Sequence, residues 1–354
     1  MEHSNARGWR RHVVTLALFS GMVAPAFGCQ LLQFAQFHVE MLGNTPLVDA
    51  KINGETVRLI VDSGSERTML TRPAAEALHL KVRPIPYTSY GVGGGDNVGE
   101  VLIQDFTLGD YTVHGVRLRA SSHMKLPPSV VGLLGGDLLA RSDVEFDLGE
   151  GAVRMFDPKG CSGDQVLYWR QPYSVLPIET TLRDVLHLQA YVNLNGQRTL
   201  AFFDTGASVS LVTPHAARAA GVTIESPGVA ADGTVHGVGA VAVAAYSAVF
   251  PTLSIGDEKI SNARLEIADI MGWHKEPQLG SHIPTAVVDD FNPQMLLGID
   301  FFRANRIYVA RSQGLIYFSY LGGPIFTDPR KPHPAPPDAP PPATTTTDAG
   351  TDPH

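Results

Sequence analysis

Only two cysteines, Cys29 and Cys161, occur in 354 residues, too few for a disulfide-stapled mini-scaffold. No His-Glu-x-x-His or other close ligand spacing gathers any of the 13 histidines, so a metal site is not expected. A Gly-x-Ser-x-Gly elbow is absent, which argues against a serine hydrolase of that class. Basic residues are in deficit: 27 Lys and Arg against 35 Asp and Glu leave a net charge of −8. With no basic patch and no aromatics interleaved with Lys or Arg, nucleic acid and anionic membrane surfaces are poor partners. Long hydrophobic runs are missing too. The one candidate, from Val13 to about Val23, is short for a bilayer span and follows Arg7, Arg10 and Arg11. Small residues at Ala24, Ala26 and Gly28 complete the pattern of a signal peptide over residues 1–28. The mature chain is therefore expected to be exported and periplasmic, with no transmembrane segment.

Glycine and turn dipeptides are plentiful, and one short motif is written twice. Asp62-Ser63-Gly64 and Asp204-Thr205-Gly206 lie 142 positions apart (204 − 62). A single Asp-Ser/Thr-Gly arises by chance roughly one time in six in a chain this long, so context carries the weight. An apolar run precedes each, Val57-Arg58-Leu59-Ile60-Val61 and Leu200-Ala201-Phe202-Phe203. A second follows, Met69-Leu70-Thr71 and Leu211-Val212-Thr213. Each copy reads as strand, tight polar turn, strand, then a short helix. Thr213 caps the second helix, Pro214 suits its first position and Gly221 its end; Thr71 and Pro73 serve the first.

The repeat extends in both directions. Upstream, alternating strands end in Asn53-Gly54 and Asn195-Gly196 hairpin turns. Downstream, Tyr90-Gly91-Val92-Gly93-Gly94 matches His236-Gly237-Val238-Gly239. Leu133-Leu134-Gly135-Gly136-Asp137 matches Leu296-Leu297-Gly298-Ile299-Asp300, and a strand pair follows each. The expected fold is mostly β, with two homologous lobes from an internal duplication, short helices and a cleft between the lobes. The expected boundaries are 29–160 and 185–322 for the lobes, 161–184 for a linker, and 323–354 for a disordered Pro/Thr-rich tail.

With these segments in hand, the chain resembles the retropepsin-like aspartic proteases, in a fused two-lobe bacterial form, over roughly residues 45–157 and 185–320. The resemblance implies acid-protease lobes, with Asp62 and Asp204 as a catalytic pair on a pseudo-twofold axis. Two carboxylates so close share one proton; one serves as base to a water, the other as acid to the scissile carbonyl. No metal, cofactor or covalent intermediate is needed. Ser63 and Thr205 are expected to cross-link the loops through their hydroxyls, and Gly64 and Gly206 to let the backbone approach the carboxylates. Tyr90, Gly91, Gly93 and Gly94 stand where a flap over the substrate belongs, with His236 and Gly237 on a second flap or a fixed loop. Glu66 either raises the local carboxyl pKa or points to solvent. The implied activity is cleavage of extended peptide or protein segments, plausibly limited processing of envelope proteins, by a monomer whose dyad lies within one chain. A catalytically silent peptide-binding module of the same fold is the alternative.

Cys29 and Cys161 flank the first lobe, and an oxidising compartment favours a disulfide between them. Ala26-Phe27-Gly28-Cys29 loosely matches a lipidation box that would compete for the same sulfur. Residues 269–293 are extra in the second copy: the Gly of Leu-Leu-Gly follows Asp204 by 94 positions (298 − 204) but Asp62 by 73 (135 − 62). They read as a loop at the cleft rim.

Overall fold

The computed structural model describes residues 28–180, 186–237, 239, 241–270 and 293–326. The first lobe comprises β1 (Gln30–Leu42), β2 (Thr45–Ile52), β3 (Glu55–Val61), β4 (Met69–Thr71), α1 (Arg72–Ala77), β5 (Arg83–Gly91), β6 (Gly94–Leu108), β7 (Tyr111–Ser121), β8 (Gly132–Leu134), α2 (Gly136–Leu139), β9 (Asp143–Asp147) and β10 (Ala152–Lys159). A 3-10 turn leads to β11 (Ser174–Pro177). The second lobe continues with β12 (Gln189–Leu194), β13 (Gln197–Phe203), β14 (Leu211–Val212), α3 (Pro214–Ala219), β15 (Ala230–Val235), β16 (Val243–Ile255), β17 (Glu258–Ala268), β18 (Met295–Leu297), α4 (Ile299–Phe302), β19 (Asn305–Ala310) and β20 (Leu315–Tyr320). The chain is mostly β and two-lobed.

Local chemistry explains the shared skeleton. Asn53 and Asn195 take φ of 51° and 48°, followed by Gly54 and Gly196 at 93° and 81°, the geometry of tight hairpin turns. Thr71 accepts from the Ala74 N–H at 3.3 Å and Thr213 from the Ala216 N–H at 3.2 Å, capping α1 and α3. In each lobe the apolar–apolar–Gly segment threads between the strands flanking the Asp loop. β8 pairs parallel with β3 and antiparallel with β4; β18 does the same with β13 and β14. Only glycine fits where these segments leave the sheet. A Cβ on Gly135 would lie 2.5 Å from the Arg67 carbonyl carbon, and one on Gly298 2.6 Å from the Val209 oxygen.

A shared sheet joins the lobes, in the order β11-β20-β19-β9-β10-β1. Its central pairing sets Val144 against Val309, Glu145 against Tyr308, and Phe146 against Ile307. Late in the repeat the copies are offset by 163 (296 − 133), so Val144 corresponds to Ile307 and Phe146 to Val309. The register is thus its own image under exchange of the lobes, with the pseudo-twofold axis at Glu145–Tyr308. β11 lies inside the stretch read as a linker. Ser174 to Pro177 face Phe318 to Leu315 as Ala35 to His38 face Met155 to Ala152. It is the second copy of part of the β10-paired stretch of β1, too short to announce itself. Phe326, inside the stretch read as tail, is 3% exposed and stacks on Phe301.

Cys29 and Cys161 form a disulfide that ties the start of β1 to the end of β10. Among the described residues no helix is long and apolar enough to cross a membrane. The signal reading (1–28), most of the tail and most of the 269–293 loop fall outside the described residues, while Ile270 and Pro293 flank that loop on the cleft lining.

Candidate active site

The loop after β3 and the loop after β13 meet at the floor of a cleft of about 780 Å³. Each Asp is aimed by its own backbone: the Asp62 N–H donates to the Leu134 carbonyl and the Asp204 N–H to that of Leu297, both at 2.9 Å. Between the loops lies a symmetric set of hydrogen bonds. Thr205 Oγ1 accepts from the Ser63 N–H at 2.9 Å and donates to the Val61 carbonyl at 2.7 Å. Ser63 Oγ accepts from the Thr205 N–H at 3.0 Å and donates to the Phe203 carbonyl at 2.7 Å. Both side chains are buried, so each bond is made out of reach of water. A Cβ on Gly64 would collide with the Asp204 carboxyl, and one on Gly206 with that of Asp62. The missing side chains let the two carboxyls face each other.

Burial raises the pKa of Asp62 well above the ordinary carboxylate value, and the facing Asp204 charge adds to it. Asp204 is raised too, again by burial. It is restrained by the Gly206 N–H, which donates to Oδ1 at 2.8 Å, by Asp62 and the Ala207 N–H, and by the nearby His187. The pair therefore holds one proton between its two carboxyls. His187 stacks on Phe202 at 4.8 Å, and its repeat counterpart is Thr45 (187 − 142), so this influence is one-sided. Glu66 turns to Arg67, 3.4 Å away, and what raises Asp62 is burial and Asp204.

Behind the loops, a second pair of carboxylates braces the backbone. Asp137 accepts from the Thr68 hydroxyl at 2.6 Å and the Thr68 N–H at 2.8 Å. Asp300 accepts from the Ser210 hydroxyl at 2.6 Å and the Ser210 N–H at 2.9 Å. The hydroxyls in turn accept from Gly135 and Gly298. Burial pushes the Asp300 carboxyl up to about 6. Asp137 and Asp300 stood in the repeat, but sequence reasoning gave them no role; their signal was the matched Asp two positions after each Leu-Leu-Gly.

The roof comes from two hairpins. The β5–β6 hairpin carries Tyr90 and Gly91, which line the cleft, and turns at Gly93 and Gly94 with φ of 87° and 114°. The β15–β16 hairpin brings His236 and Gly237 to the opposite rim. Their tips meet over the cleft: the Gly239 N–H donates to the Val92 carbonyl at 3.0 Å, and the Val241 N–H to that of Gly93 at 3.1 Å. Sequence reasoning missed Arg119, Tyr87, Phe202 and Glu266, which also line the cleft. They sit on strands whose register only the fold sets.

A sequence profile described as "Aspartyl protease" matches residues 48–138 and 190–301. The structure is similar to the crystal structure of an aspartic proteinase from Irpex lacteus, at 13% identity and a TM-score of 0.49, over 81% of this chain and 97% of that one. No curated protein matches the sequence significantly. The profile covers more than half of the chain, in two segments that each contain one Asp-Ser/Thr-Gly loop, and the chain belongs to the retropepsin-like aspartyl protease family.

Proposed function

We propose that the protein is an aspartic endopeptidase, with Asp62 and Asp204 as its catalytic dyad. The observation that carries this reading is the pair of facing carboxyls with raised pKa values at the floor of a roofed cleft. The ionised member of the pair takes a proton from a water held between the carboxyls, and the water oxygen bonds to the scissile carbonyl carbon. The protonated member gives its proton to the carbonyl oxygen, forming a neutral gem-diol. The first carboxyl then protonates the leaving nitrogen, the second recovers a proton from a diol hydroxyl, and the C–N bond breaks. The substrate is an extended polypeptide segment lying as a strand beneath the hairpins. Because both carboxyls belong to one chain, a monomer suffices. The disulfide fits an exported, periplasmic protein that carries out limited processing of envelope proteins, and it occupies the sulfur that lipidation would need.

A silent peptide-binding module is the competing reading, and the hydrogen-bonded hairpin tips that close the cleft favour it. The two part on cleavage of a diverse peptide mixture between pH 3 and 8, read by mass spectrometry. Asp62→Asn and Asp204→Asn are each expected to lower kcat/KM by about a thousandfold or more. Cutting that survives either change removes the dyad mechanism. No cutting by the folded protein at any pH favours the binding module.

A further inference from the structure

Beneath each half of the cleft lies the same apolar floor: Ile60, Met69 and Leu133 in the first lobe, Phe202, Leu211 and Leu296 in the second. The walls above it differ. Met69 pairs in parallel with Arg119, and at the same register of the other lobe Leu211 pairs with Glu266. A guanidinium in one half thus stands where a carboxylate stands in the other. Arg67 likewise has Val209 as its counterpart (67 + 142 = 209), and all four residues line the cleft. Around the first half, Arg119 lies 3.1 Å from Glu100, which also holds Arg117 at 2.7 Å, and Arg67 lies 3.4 Å from Glu66. Three guanidiniums share two carboxylates, leaving one positive charge in excess. The second half already holds an occupant of informative shape: Val92, from the first lobe's hairpin tip, packs against the cluster of Phe202, Leu211 and Leu296.

We propose that the cleft reads opposite side-chain character on its two sides. A Glu or Asp of the substrate lies over the first-lobe half against Arg119 and Arg67. A branched aliphatic residue takes the place of Val92 over the second, where Glu266 rejects acidic side chains. The inference rests on the peptidase reading for its chemistry, while its specificity content concerns binding alone. The Arg119–Glu266 exchange gives the two sides of the pseudo-symmetric cleft opposite charge, which lets them discriminate between substrate side chains.

The test uses matched short peptides carrying Glu, Gln or Lys on one side of Val, in both chain orders. kcat/KM for the Glu peptide is expected to exceed that for Lys by about tenfold or more, the gap narrowing as salt rises. Arg119→Met, which sets no carboxylate against Glu100, is expected to erase the gap, and Arg119→Glu to invert it. Glu266→Gln is expected to admit Glu over the second half. Equal cutting of the Glu and Lys peptides, or an equal loss on every peptide in Arg119→Met, overturns the proposal. Binding of the same peptides to Asp204→Asn, followed by fluorescence anisotropy, separates the two failures. Charge-selective binding without any cleavage by the unaltered protein sinks the hydrolytic reading and supports this one. Cleavage with charge-blind binding does the reverse.

Discussion

The two lobes share their turns, their caps, their crossing segments and their Asp loops, yet they are closed and lined differently. The first is tied at its edge by the Cys29–Cys161 disulfide, while the matching β11–β20 edge of the second is held by strand pairing and side-chain packing. The first wall of the cleft carries Arg119 and the second Glu266. What stays the same is whatever the backbone needs to present a carboxylate. Much of what diverges lies at the lobe edges and on the walls of the cleft. The duplication has kept its geometry and released its surface chemistry.

Removing the disulfide would make the two edges alike, and this is the largest stability effect expected. The bond closes a loop of 132 residues, which in the chain-entropy model is worth about 4–5 kcal/mol. The double change Cys29→Ser, Cys161→Ser is expected to lower unfolding stability by somewhat less, about 3–4 kcal/mol, in a urea titration. Hydrogen exchange should show the first lobe opening before the second. An unchanged midpoint, or loss beginning in the second lobe, would show that the edge does not limit the first lobe's stability.

The hydroxyl cross-link is where the lobes should prove equivalent. Thr205→Val leaves the Ser63 N–H and the Val61 carbonyl without their partner, and Ser63→Ala does the same to the Thr205 N–H and the Phe203 carbonyl. Each is expected to cost about 2–3 kcal/mol, since two buried backbone groups lose their partner. Costs that differ widely would mean that one lobe holds its loop by other means.

Much of this was legible because certain residues force their own backbone. Asn-Gly at positive φ, Thr before a helix with Pro behind it, and Gly where a strand crosses behind a loop left a pattern strong enough to find twice. Asp62 and Asp204 stood out for that reason, and both lie at the cleft floor. The lateral partners were not legible. Met69 meets Arg119, and Leu211 meets Glu266, only through parallel pairing across dozens of residues. The offset between the copies drifts from 142 at the Asp loops to 147 at this pair (266 − 119) and 163 at the crossing segments, so no single alignment displays it. β11 escaped for another reason: four residues in a strand bounded by polar linker carry no periodicity to detect.

A pH effect should follow from the brace behind the second lobe. Burial holds the Asp300 carboxyl at about 6, above its usual 3.8, so the folded state binds its proton more tightly than the unfolded chain does. The associated stability is fully present below pH 3.8 and is lost as pH rises through about 6, by about 2–3 kcal/mol in all. Asp300→Asn is expected to be less stable overall, because its amide offers one accepting oxygen to the two Ser210 donors, but to flatten that part of the slope. An unchanged slope between pH 4 and 6 would assign the effect to the other carboxyls raised by burial, Asp62, Asp204, Asp143 and Glu145, instead.

The smallest effect tests the duplication at a single backbone position. Helix α3 is followed by Gly221 with φ of 79°, and at the same place after α1 the first lobe has His79 with φ of 56°. The positions correspond (221 − 142 = 79), so the same left-handed turn is made once by a residue that favours it and once by one that does not. A side chain in that region costs about 1 kcal/mol, offset in part by the extra freedom glycine gains when unfolded. His79→Gly is therefore expected to stabilise the protein by about 0.5–1 kcal/mol, and Gly221→Ala to destabilise it by a similar amount, both read from denaturation midpoints. If His79→Gly instead weakens the fold, the imidazole makes a contact worth more than the strain it carries, and the first lobe has found a use for a residue that the second replaced with the simplest turn.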